Sequence, residues 1–385
     1  MMKKLLEQSS IKVKTLPSQI ENRKVDHIQI CLEKNVQARH ATTGFEDVSF
    51  VHKALPEIEK DKINLFTVLF DHKFSAPLIV GAMTGGTPEA MKINSIIAEA
   101  VEETGLGMGV GSQRAAIEDP KLEKTFSVVR KKAATAFLVA NIGGPQLVKG
   151  YGIKEAEKAV NMIEADALAI HLNPLQEVVQ PEGETNYAGA LERIGEIAKA
   201  LDIPIIIKET GSGIAAEEAK MLENVGVAGI DVAGVGGTSW AAVEYHRAKE
   251  TQDESRQRLG EVFWDWGIPT AVSIVEVAQS VDLTVIASGG VRTGIDVAKA
   301  IALGAGLSSL TSPILRPATV DIKEVKQTLQ LMIEELRNTM FLVGVDSIQK
   351  LKEAPVVLVG KTAEWLRMRG FHPELYARRK RGKYT

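Results

Sequence analysis

Short apolar runs alternate with helical patterns along the chain from about residue 76. Eight such runs begin at residues 77, 107, 136, 167, 204, 229, 283 and 306. Several are apolar throughout, which is typical of strands buried on both faces of a parallel sheet. Amphipathic stretches, among them residues 88–103, 153–165 and 294–305, lie between the runs and predict helices. Eight strand–helix units predict an α/β fold, a (β/α)8 TIM barrel.

A doubly wound open sheet is the alternative fold. It more often has fewer units and a G-x-G-x-x-G sequence after its first strand, which is absent here. We divide the chain into an N-terminal segment (residues 1–75), the barrel (76–350) and a basic C-terminal tail (351–385). A charged and aromatic insertion at residues 243–267 follows the sixth strand. Such a loop often forms a lid over the catalytic face, although it could also be a solvated loop without a role.

Composition limits the classes of function. The 385 residues are 45% hydrophobic and 25% charged, which is ordinary for a globular protein. A net charge of −3 gives no general attraction to nucleic acid or membrane, so any anion has to be bound locally. Cys31 is the one cysteine, and no run has the length of a membrane span or signal peptide. We expect a cytoplasmic homo-oligomer, a tetramer or an octamer.

Every predicted strand ends in a polar group or a glycine turn. The carboxyl ends of barrel strands converge on one mouth, so these ends predict a binding site. In chain order they are AMTGG (82–86), GSQR (111–114), NIGGPQ (141–146), HLNPLQE (171–177), KETGSG (208–213), GVGGTSW (234–240), SGGVRTG (288–294) and TSP (311–313).

The seventh of these ends predicts a phosphate site. SGGVRTG leads directly into the predicted helix IDVAKAIALGA. Glycines let the backbone approach an anion, and a helix N-terminus supplies free N–H donors and a partial positive charge. The loops after the seventh and eighth strands are the usual barrel phosphate site. The alternative is an ordinary glycine turn.

Charged residues at three places suggest further chemistry. Lys208 ends an apolar strand, and it could form a Schiff base, pair with Glu209 or contact an isoalloxazine ring. Glu177 suits a Mg²⁺ ion that bridges phosphate oxygens, unless it is only a carboxylate at a helix start. RKVDH at residues 23–27 supplies two cations and a histidine that can bind a diphosphate, and Arg114 adds a further cation.

Taken in order, these motifs resemble the type 2 isopentenyl-diphosphate isomerases, which are flavin-dependent enzymes of isoprenoid synthesis. The resemblance covers nearly the whole chain and rests on RKVDH, AMTGG, GSQR, NIGGPQ, HLNPLQE, GVGGTSW and SGGVRTGIDVAKAIALGA. The combination of HLNPLQE with GSQR is specific. SGGVR alone is shared by many barrels that bind flavin mononucleotide (FMN), including hydroxy-acid oxidases.

The resemblance implies a role for each candidate residue. The flavin would contact Ala82, Met83, Thr84, Ser112, Asn141, Lys208 and Thr238, and its phosphate would contact Gly290, Val291, Arg292, Thr311 and Ser312. The substrate diphosphate would bind to Arg23, Lys24, His27, Ser112, Gln113 and Arg114. Gln176 would contact the substrate, Glu177 would hold Mg²⁺, and the catalytic cavity would be lined by His171, Asn173, Gln176, Trp240 and Glu244.

The implied reaction moves a double bond between isopentenyl diphosphate and dimethylallyl diphosphate without net redox change. Reduced FMN would act as acid and base, and NADPH would serve only as its reductant. An FMN-dependent hydroxy-acid oxidase is the first rival, but the fifth and sixth strand ends lack the histidine that such enzymes usually need. The second rival is a non-enzymatic barrel that binds a phosphorylated metabolite, and the abundance of polar groups at the mouth argues against it.

Overall fold

The computed structural model describes residues 19–379, and it describes side chains from residue 23 onward. Residues 1–18 of the expected N-terminal segment and residues 380–385 of the expected tail lie outside this range. The strands are β1 Val48–Phe50, β2 Thr67–Leu69, β3 His72–Phe74, β4 Leu78–Val80, β5 Gly107–Gly109, β6 Phe137–Gly143, β7 Ala167–His171, β8 Ile205–Lys208, β9 Gly229–Asp231, β10 Thr284–Ala287, β11 Leu307–Leu310 and β12 Val356–Leu358.

Helices alternate with these strands through most of the chain. They are α1 Gln19–Glu33, α2 Pro88–Thr104, α3 Arg114–Glu118, α4 Lys124–Lys132, α5 Gly144–Val148, α6 Ile153–Ile163, α7 Pro174–Val179, α8 Ala190–Ala200, α9 Ala216–Asn224, α10 Trp240–Glu250, α11 Glu254–Val262, α12 Thr270–Ala278, α13 Gly294–Leu303, α14 Ser312–Val320, α15 Ile322–Val343, α16 Ile348–Lys352, α17 Gly360–Met368 and α18 Glu374–Ala377. None of the described helices is long and apolar enough to cross a membrane.

Strands β4 to β11 form a closed barrel. Each strand pairs in parallel with the next, and β11 pairs with β4 to complete the ring. Each of the eight apolar runs contains one barrel strand, so the (β/α)8 prediction is confirmed and the open sheet is excluded. The continuous apolar pattern arises because helices cover the outer face of the strands while side chains fill the inside. All seven residues of β6, for example, are buried.

A hairpin of β2 and β3 closes the amino end of the barrel. Its two-residue turn places Phe70 and Asp71 at positive φ, as a type I′ turn requires. The rings of Phe70 and Phe74 lie 5.9 and 5.4 Å from the ring of Phe137, which begins β6. Because aromatic rings fill this end, ligands have access only from the carboxyl ends of the strands.

The N-terminal segment and the insertion after the sixth barrel strand, β9, meet at the open end. The insertion is a pair of helices, α10 and α11, that pack on each other and on α7. Helix α1 packs against α10, and the chain after α1 pairs Gln37 with Thr238 in the loop that follows β9. Both segments therefore form walls around the barrel mouth.

The expectation of a basic tail from residue 351 is wrong for its described part. Strand β12 pairs with β1 in an antiparallel ladder, and Leu351, Val356 and Leu366 are fully buried. The apolar run VVLV at residues 356–359 supplies this strand, although basic residues surround it in the sequence. This segment ties the N-terminal segment to the outside of the barrel.

Candidate active site

A cavity of about 270 Å³ opens at the carboxyl ends of the barrel strands. Twenty-one of the residues that the sequence predicted for the site line it. They are Arg23, Lys24, His27, Ala82, Met83, Thr84, Ser112, Arg114, Asn141, His171, Asn173, Gln176, Glu177, Lys208, Thr238, Trp240, Gly290, Val291, Arg292, Thr311 and Ser312. The convergence of strand ends, together with α1 and α10, brings these residues into one site.

Two glycine loops form a cradle on one side of this cavity. Gly289 and Gly290 have φ angles of 95° and 78°, a region that favours glycine. A Cβ on Gly290 would lie 2.6 Å from the carbonyl oxygen of Gly236, and one on Gly237 would lie 2.5 Å from the nitrogen of Gly290. No protein acceptor among the described residues takes the N–H groups of Gly290 and Val291. The loop therefore offers backbone donors to an anion such as a phosphate.

The helix that completes this cradle differs from the expected one. The first turn of α13 is already capped, because Asp296 accepts hydrogen bonds from the backbone of Arg292 and Thr293. Glu335 accepts from the N–H of Gly294, and Thr293 accepts from that of Asp296, so these N–H groups of α13 are not available to a ligand. The short helix α14 begins at Ser312 without a side-chain cap and lies at the cavity. The N-terminus that faces the cradle is thus that of α14.

Charged groups lie at the base of the cavity around Lys208. Its Nζ donates to the backbone oxygen of Glu209 at 2.7 Å and lies 3.8 Å from a carboxylate oxygen of Asp231. The carboxylate of Asp231 also accepts a hydrogen bond from Ser288. Lys208 retains donors for a ligand above it, because an ammonium group has three. This geometry fits contact with an electron-rich ring, and it provides the paired anion that makes a buried lysine tolerable.

His171 is held as a neutral imidazole. Its Nδ1 lies 2.8 Å from Oδ1 of Asn141, while the amide nitrogen of Asn141 donates to the backbone oxygen of Val110. Asn141 Oδ1 therefore accepts from His171, which puts the proton on Nδ1. Burial, and next the cation of Lys208, lower the pKa of His171 to about 4. At neutral pH this side chain can orient a ligand, but it is not a proton-donating imidazolium.

Cations cluster where α1 meets the barrel mouth. Nζ of Lys24 donates to the backbone oxygen of Ser112 at 2.9 Å and lies over the ring of Phe126. Burial, together with the neighbouring Arg23, lowers the pKa of Lys24 to about 7. Arg23 and Arg114 line the same cavity. These like charges repel one another, so the site is arranged to receive a compensating anion.

Glu177 lies at the start of α7, and its carboxylate is buried at the cavity wall. One oxygen accepts from Asn173 at 2.8 Å, and the other accepts from Gln180 and from the backbone of Glu184, both at 2.6 Å. No group of three or more histidine, cysteine or acidic residues suited to a metal occurs in the described part of the chain. A lone, well-oriented carboxylate still fits Mg²⁺, which commonly takes one or two carboxylates, substrate phosphate oxygens and water.

Two predicted residues do not line the cavity. Glu244 is buried behind His27, with its carboxylate 3.0 Å from His27 Nε2 and 2.6 Å from Arg247. Burial alone would raise the pKa of Glu244, but His27 and Arg247 together hold it below its usual range. Glu244 therefore orients His27 and does not itself face the cavity.

Gln113 is the second of these residues, and its predicted contact with substrate is wrong for the side chain. Its Nε2 donates to the backbone oxygen of Ala159 at 2.8 Å, and its Oε1 accepts from the backbone of Asn141. Gln113 thus supports the backbone of β6 from behind. The GSQR motif does not distinguish a side chain that points inward from one that points away.

Several residues at the cavity were not predicted. Gln146, Gln180, Glu182, Glu184 and Ser288 all contribute to its lining. Gln146 stands in the quoted motif NIGGPQ, so the signal for it was present in the sequence. The acidic loop after α7 gave no comparable signal, because a Glu-rich loop is usually a solvated surface.

Solved structures with the same architecture support the fold. A lactate oxidase of Pediococcus acidilactici is similar at a TM-score of 0.61 and 18% identity, with 90% of this chain and 96% of that chain covered. A flavocytochrome b2 variant is similar at a TM-score of 0.64 and 17% identity, with 94% of this chain and 89% of that chain covered. Residues 173–358 match the model of the FMN-dependent dehydrogenase family. The barrel, its glycine cradle and this match define an FMN-dependent type of TIM barrel.

Closer relatives identify the family. The isopentenyl-diphosphate delta-isomerase of Methanosarcina barkeri is 49% identical over 360 residues, which cover 94% of this chain and 98% of that protein. The protein of the same name from Thermococcus onnurineus is 50% identical over 355 residues, which cover 90% of this chain and 94% of that protein. The chain belongs to the isopentenyl-diphosphate delta-isomerase family. This confirms the resemblance and the prediction of an isomerase.

The cradle generates a test of flavin binding. In Gly290→Ala, the new methyl group meets backbone at 2.6 Å and the residue keeps a positive φ, so we expect the FMN affinity to fall about tenfold or more. Gly226→Ala is the matched control, because Gly226 has a φ of 92° but open space around its Cβ position. Fluorescence titration of the apoproteins with FMN measures both affinities. Equal affinities in the two variants would contradict the cradle.

Proposed function

We propose that the protein interconverts isopentenyl diphosphate and dimethylallyl diphosphate in isoprenoid biosynthesis. It uses reduced FMN, Mg²⁺ and, as the reductant of the flavin, NADPH. The observation that carries this proposal is the single cavity that a glycine cradle shares with the cations of α1 and α3. Such a cavity suits two phosphate-bearing molecules at once. The names of the relatives support the choice of substrate.

The FMN phosphate is assigned to the cradle and the flavin ring to the base of the cavity. The uncapped N-terminus of α14 and the free N–H groups of Gly290 and Val291 supply donors for the phosphate. Ala82, Met83 and Thr84 offer a wall that a flat ring can approach, and Lys208 offers a donor from below. When bound, reduced FMN would supply the proton donor and acceptor of the reaction.

The substrate diphosphate is assigned to the cluster of Arg23, Lys24 and Arg114, with Ser112 and His27 beside it. Mg²⁺, held through Glu177, would neutralise charge on the diphosphate oxygens. Charge-assisted contacts to the diphosphate would hold the small alkene in place, since the alkene itself offers little to bind. Gln176 accepts a hydrogen bond from Asn173, which leaves its amide N–H groups for the substrate.

The environment of the histidines supports an acid other than a side chain. An alkene is a very weak base and needs a strong acid close to it. The low pKa of His171 leaves it neutral, and His27 is engaged by the carboxylate of Glu244. Trp240 lies edge-on to His27 with ring centroids 5.0 Å apart. These residues are therefore assigned to orientation and to excluding water from a cation-like state.

A hydroxy-acid oxidase, the first rival from the sequence, has the same barrel, but structural similarity at 17–18% identity supports only the fold. Relatives at 49–50% identity favour the isomerase. A cytoplasmic location and a tetrameric or octameric assembly remain part of the proposal. The first would be tested by cell fractionation and the second by light scattering of the purified protein.

The reaction has a stoichiometry that separates these readings. We expect enzyme reduced once with dithionite to convert isopentenyl diphosphate for many turnovers in Mg²⁺ buffer without oxygen or further reductant. In D₂O the product should gain deuterium, since a solvent-exchangeable proton is added to the alkene. NMR spectroscopy of the product measures both. A reaction that stops once the reduced flavin is consumed, and that resumes only with added reductant, would contradict the isomerase.

The proposed metal contact depends on Glu177. We expect Glu177→Gln to raise the Mg²⁺ concentration for half-maximal activity about tenfold or more, because a neutral amide is a weaker ligand. FMN content should not change, since Glu177 lies away from the cradle. Glu184→Gln is the control, because Glu184 lines the same cavity but pairs with Lys149. Calorimetric titration with Mg²⁺ in the presence of inorganic pyrophosphate gives a second readout. An unchanged Mg²⁺ dependence would leave Glu177 as a structural carboxylate.

The lowered pKa of Lys24 predicts a pH dependence. Only the protonated amine binds a diphosphate, and in the free enzyme this form is lost as the pH rises through about 7. We therefore expect kcat/KM to fall above that pH, with a smaller change in kcat because bound diphosphate favours the charged lysine. In Lys24→Arg the alkaline fall should move to higher pH, since a guanidinium stays charged. Lys34→Arg, at an exposed position, serves as the control. An identical profile in Lys24→Arg would assign the titration to another group.

A further inference from the structure

A chain of ion pairs crosses the cavity mouth between three separate segments. Arg247 on α10 bonds to Glu244 at 2.6 Å and to Glu182 at 2.9 Å. Glu182 follows α7, and the same carboxylate oxygen lies 3.7 Å from the guanidinium of Arg23 on α1. Glu244 connects this chain to His27. Glu182 is therefore shared unequally between two arginines.

The bond between Glu182 and Arg247 is the stronger of the two. At 2.9 Å it is a charge-assisted hydrogen bond, and the Arg247 side chain is 18% exposed. The pair with Arg23 is too long for a hydrogen bond, and the Arg23 guanidinium makes no hydrogen bond to any other described residue. Glu182 itself is 42% exposed, so water screens the longer pair and makes it weak. The guanidinium of Arg23 thus has N–H donors that can form hydrogen bonds with an anion that binds it more strongly than Glu182 does.

Glu182 also offsets a charge problem at this end of the cavity. Arg23 and Lys24 are adjacent, and their repulsion contributes to the lowered pKa of Lys24. The carboxylate of Glu182 lies at the cavity, close to Arg23, and partly neutralises this pair. The same negative charge repels an arriving diphosphate.

We propose that Glu182 sets the affinity of the site for diphosphate by acting as an exchangeable partner of Arg23. The diphosphate binds to the guanidinium of Arg23 in place of Glu182. The displaced carboxylate of Glu182 remains bound to Arg247. This inference rests on the proposed function, because it assumes that a diphosphate binds beside Arg23. Glu182 thereby pairs weakly with Arg23 before binding and weakens the complex after it, which favours product release.

The test is the binding of inorganic pyrophosphate to the full-length, FMN-loaded protein by titration calorimetry. Removal of the charge in Glu182→Gln should tighten binding about three- to ten-fold, because the amide keeps contact with Arg247 but no longer repels the anion. Glu182→Asp keeps the charge and should stay within about twofold of wild type. The gain in Glu182→Gln should shrink at high salt, since these groups are partly exposed.

Glu184→Gln is the matched control. Glu184 lines the same cavity and has the same charge as Glu182. Its ion-pair partner is Lys149, which is not part of the series of ion pairs at the cavity mouth. We expect a change of less than about twofold there. In steady-state kinetics, Glu182→Gln should lower KM without raising kcat, a split that a merely structural role would not produce.

Two results would overturn this proposal while leaving the proposed function intact. One is that the wild-type protein binds pyrophosphate and Glu182→Gln binds it with the same affinity or more weakly. The other is an equal gain in Glu184→Gln, which would reduce the effect to the net charge of the cavity. If the wild-type protein does not bind pyrophosphate, the diphosphate site itself is rejected, and the exchange at Arg23 with it.

Discussion

The pairing of β11 with β4 is the constraint on which the site depends. Ser309 stands opposite Ile79 and Leu310 opposite Val80, so the last barrel strand hydrogen-bonds to the first. This closure brings Thr311 and Ser312 beside Ala82 and Met83, although more than two hundred residues separate them in the chain. An open sheet would leave these groups on opposite edges. The glycine cradle and the wall formed by Ala82 and Met83 can share one cavity only because the ring of strands is complete.

The segments outside the barrel turn this cavity into a selective site. The barrel alone supplies the cradle, Lys208 and His171, which suit a phosphorylated aromatic ligand. The cations Arg23 and Lys24 come from α1, which α10 holds through the contact between His27 and Glu244. The N-terminal segment and the insertion that contains α10, which are far apart in sequence, thus stabilise each other. A barrel with the same cradle but without α1 would lack most of the positive charge at its mouth.

The sequence was informative wherever a local pattern determined the structure. Continuous apolar runs located the eight barrel strands, because burial on both faces leaves no room for polar side chains. Strand-end motifs located most of the cavity, because the topology brings all such ends together. The β2–β3 hairpin was missed because Phe70 and Asp71 occupy a turn that usually signals itself with glycine. The side chain of Gln113 and the N–H group of Gly294 depend on partners distant in sequence, Ala159 and Glu335, which no local pattern reveals. The cap of α13 itself is a local pattern, in which Thr293 and Asp296 form a capping box.

The distribution of charge explains how a cavity wall that carries both cations and carboxylates is compatible with anion binding. Arg23, Lys24 and Arg114 lie near the mouth, whereas Lys208 and Arg292 lie nearer the cradle. Carboxylates accompany both groups, with Glu182 beside Arg23 and Asp231 beside Lys208. The difference lies in exposure, since Asp231 is buried and Glu182 is not. A buried partner remains in place, so the ion pair of Asp231 with Lys208 is a fixed part of the cavity floor. A solvated partner can be exchanged, so under the proposed function the mouth would bind one diphosphate after another while Lys208 and Asp231 stay unchanged.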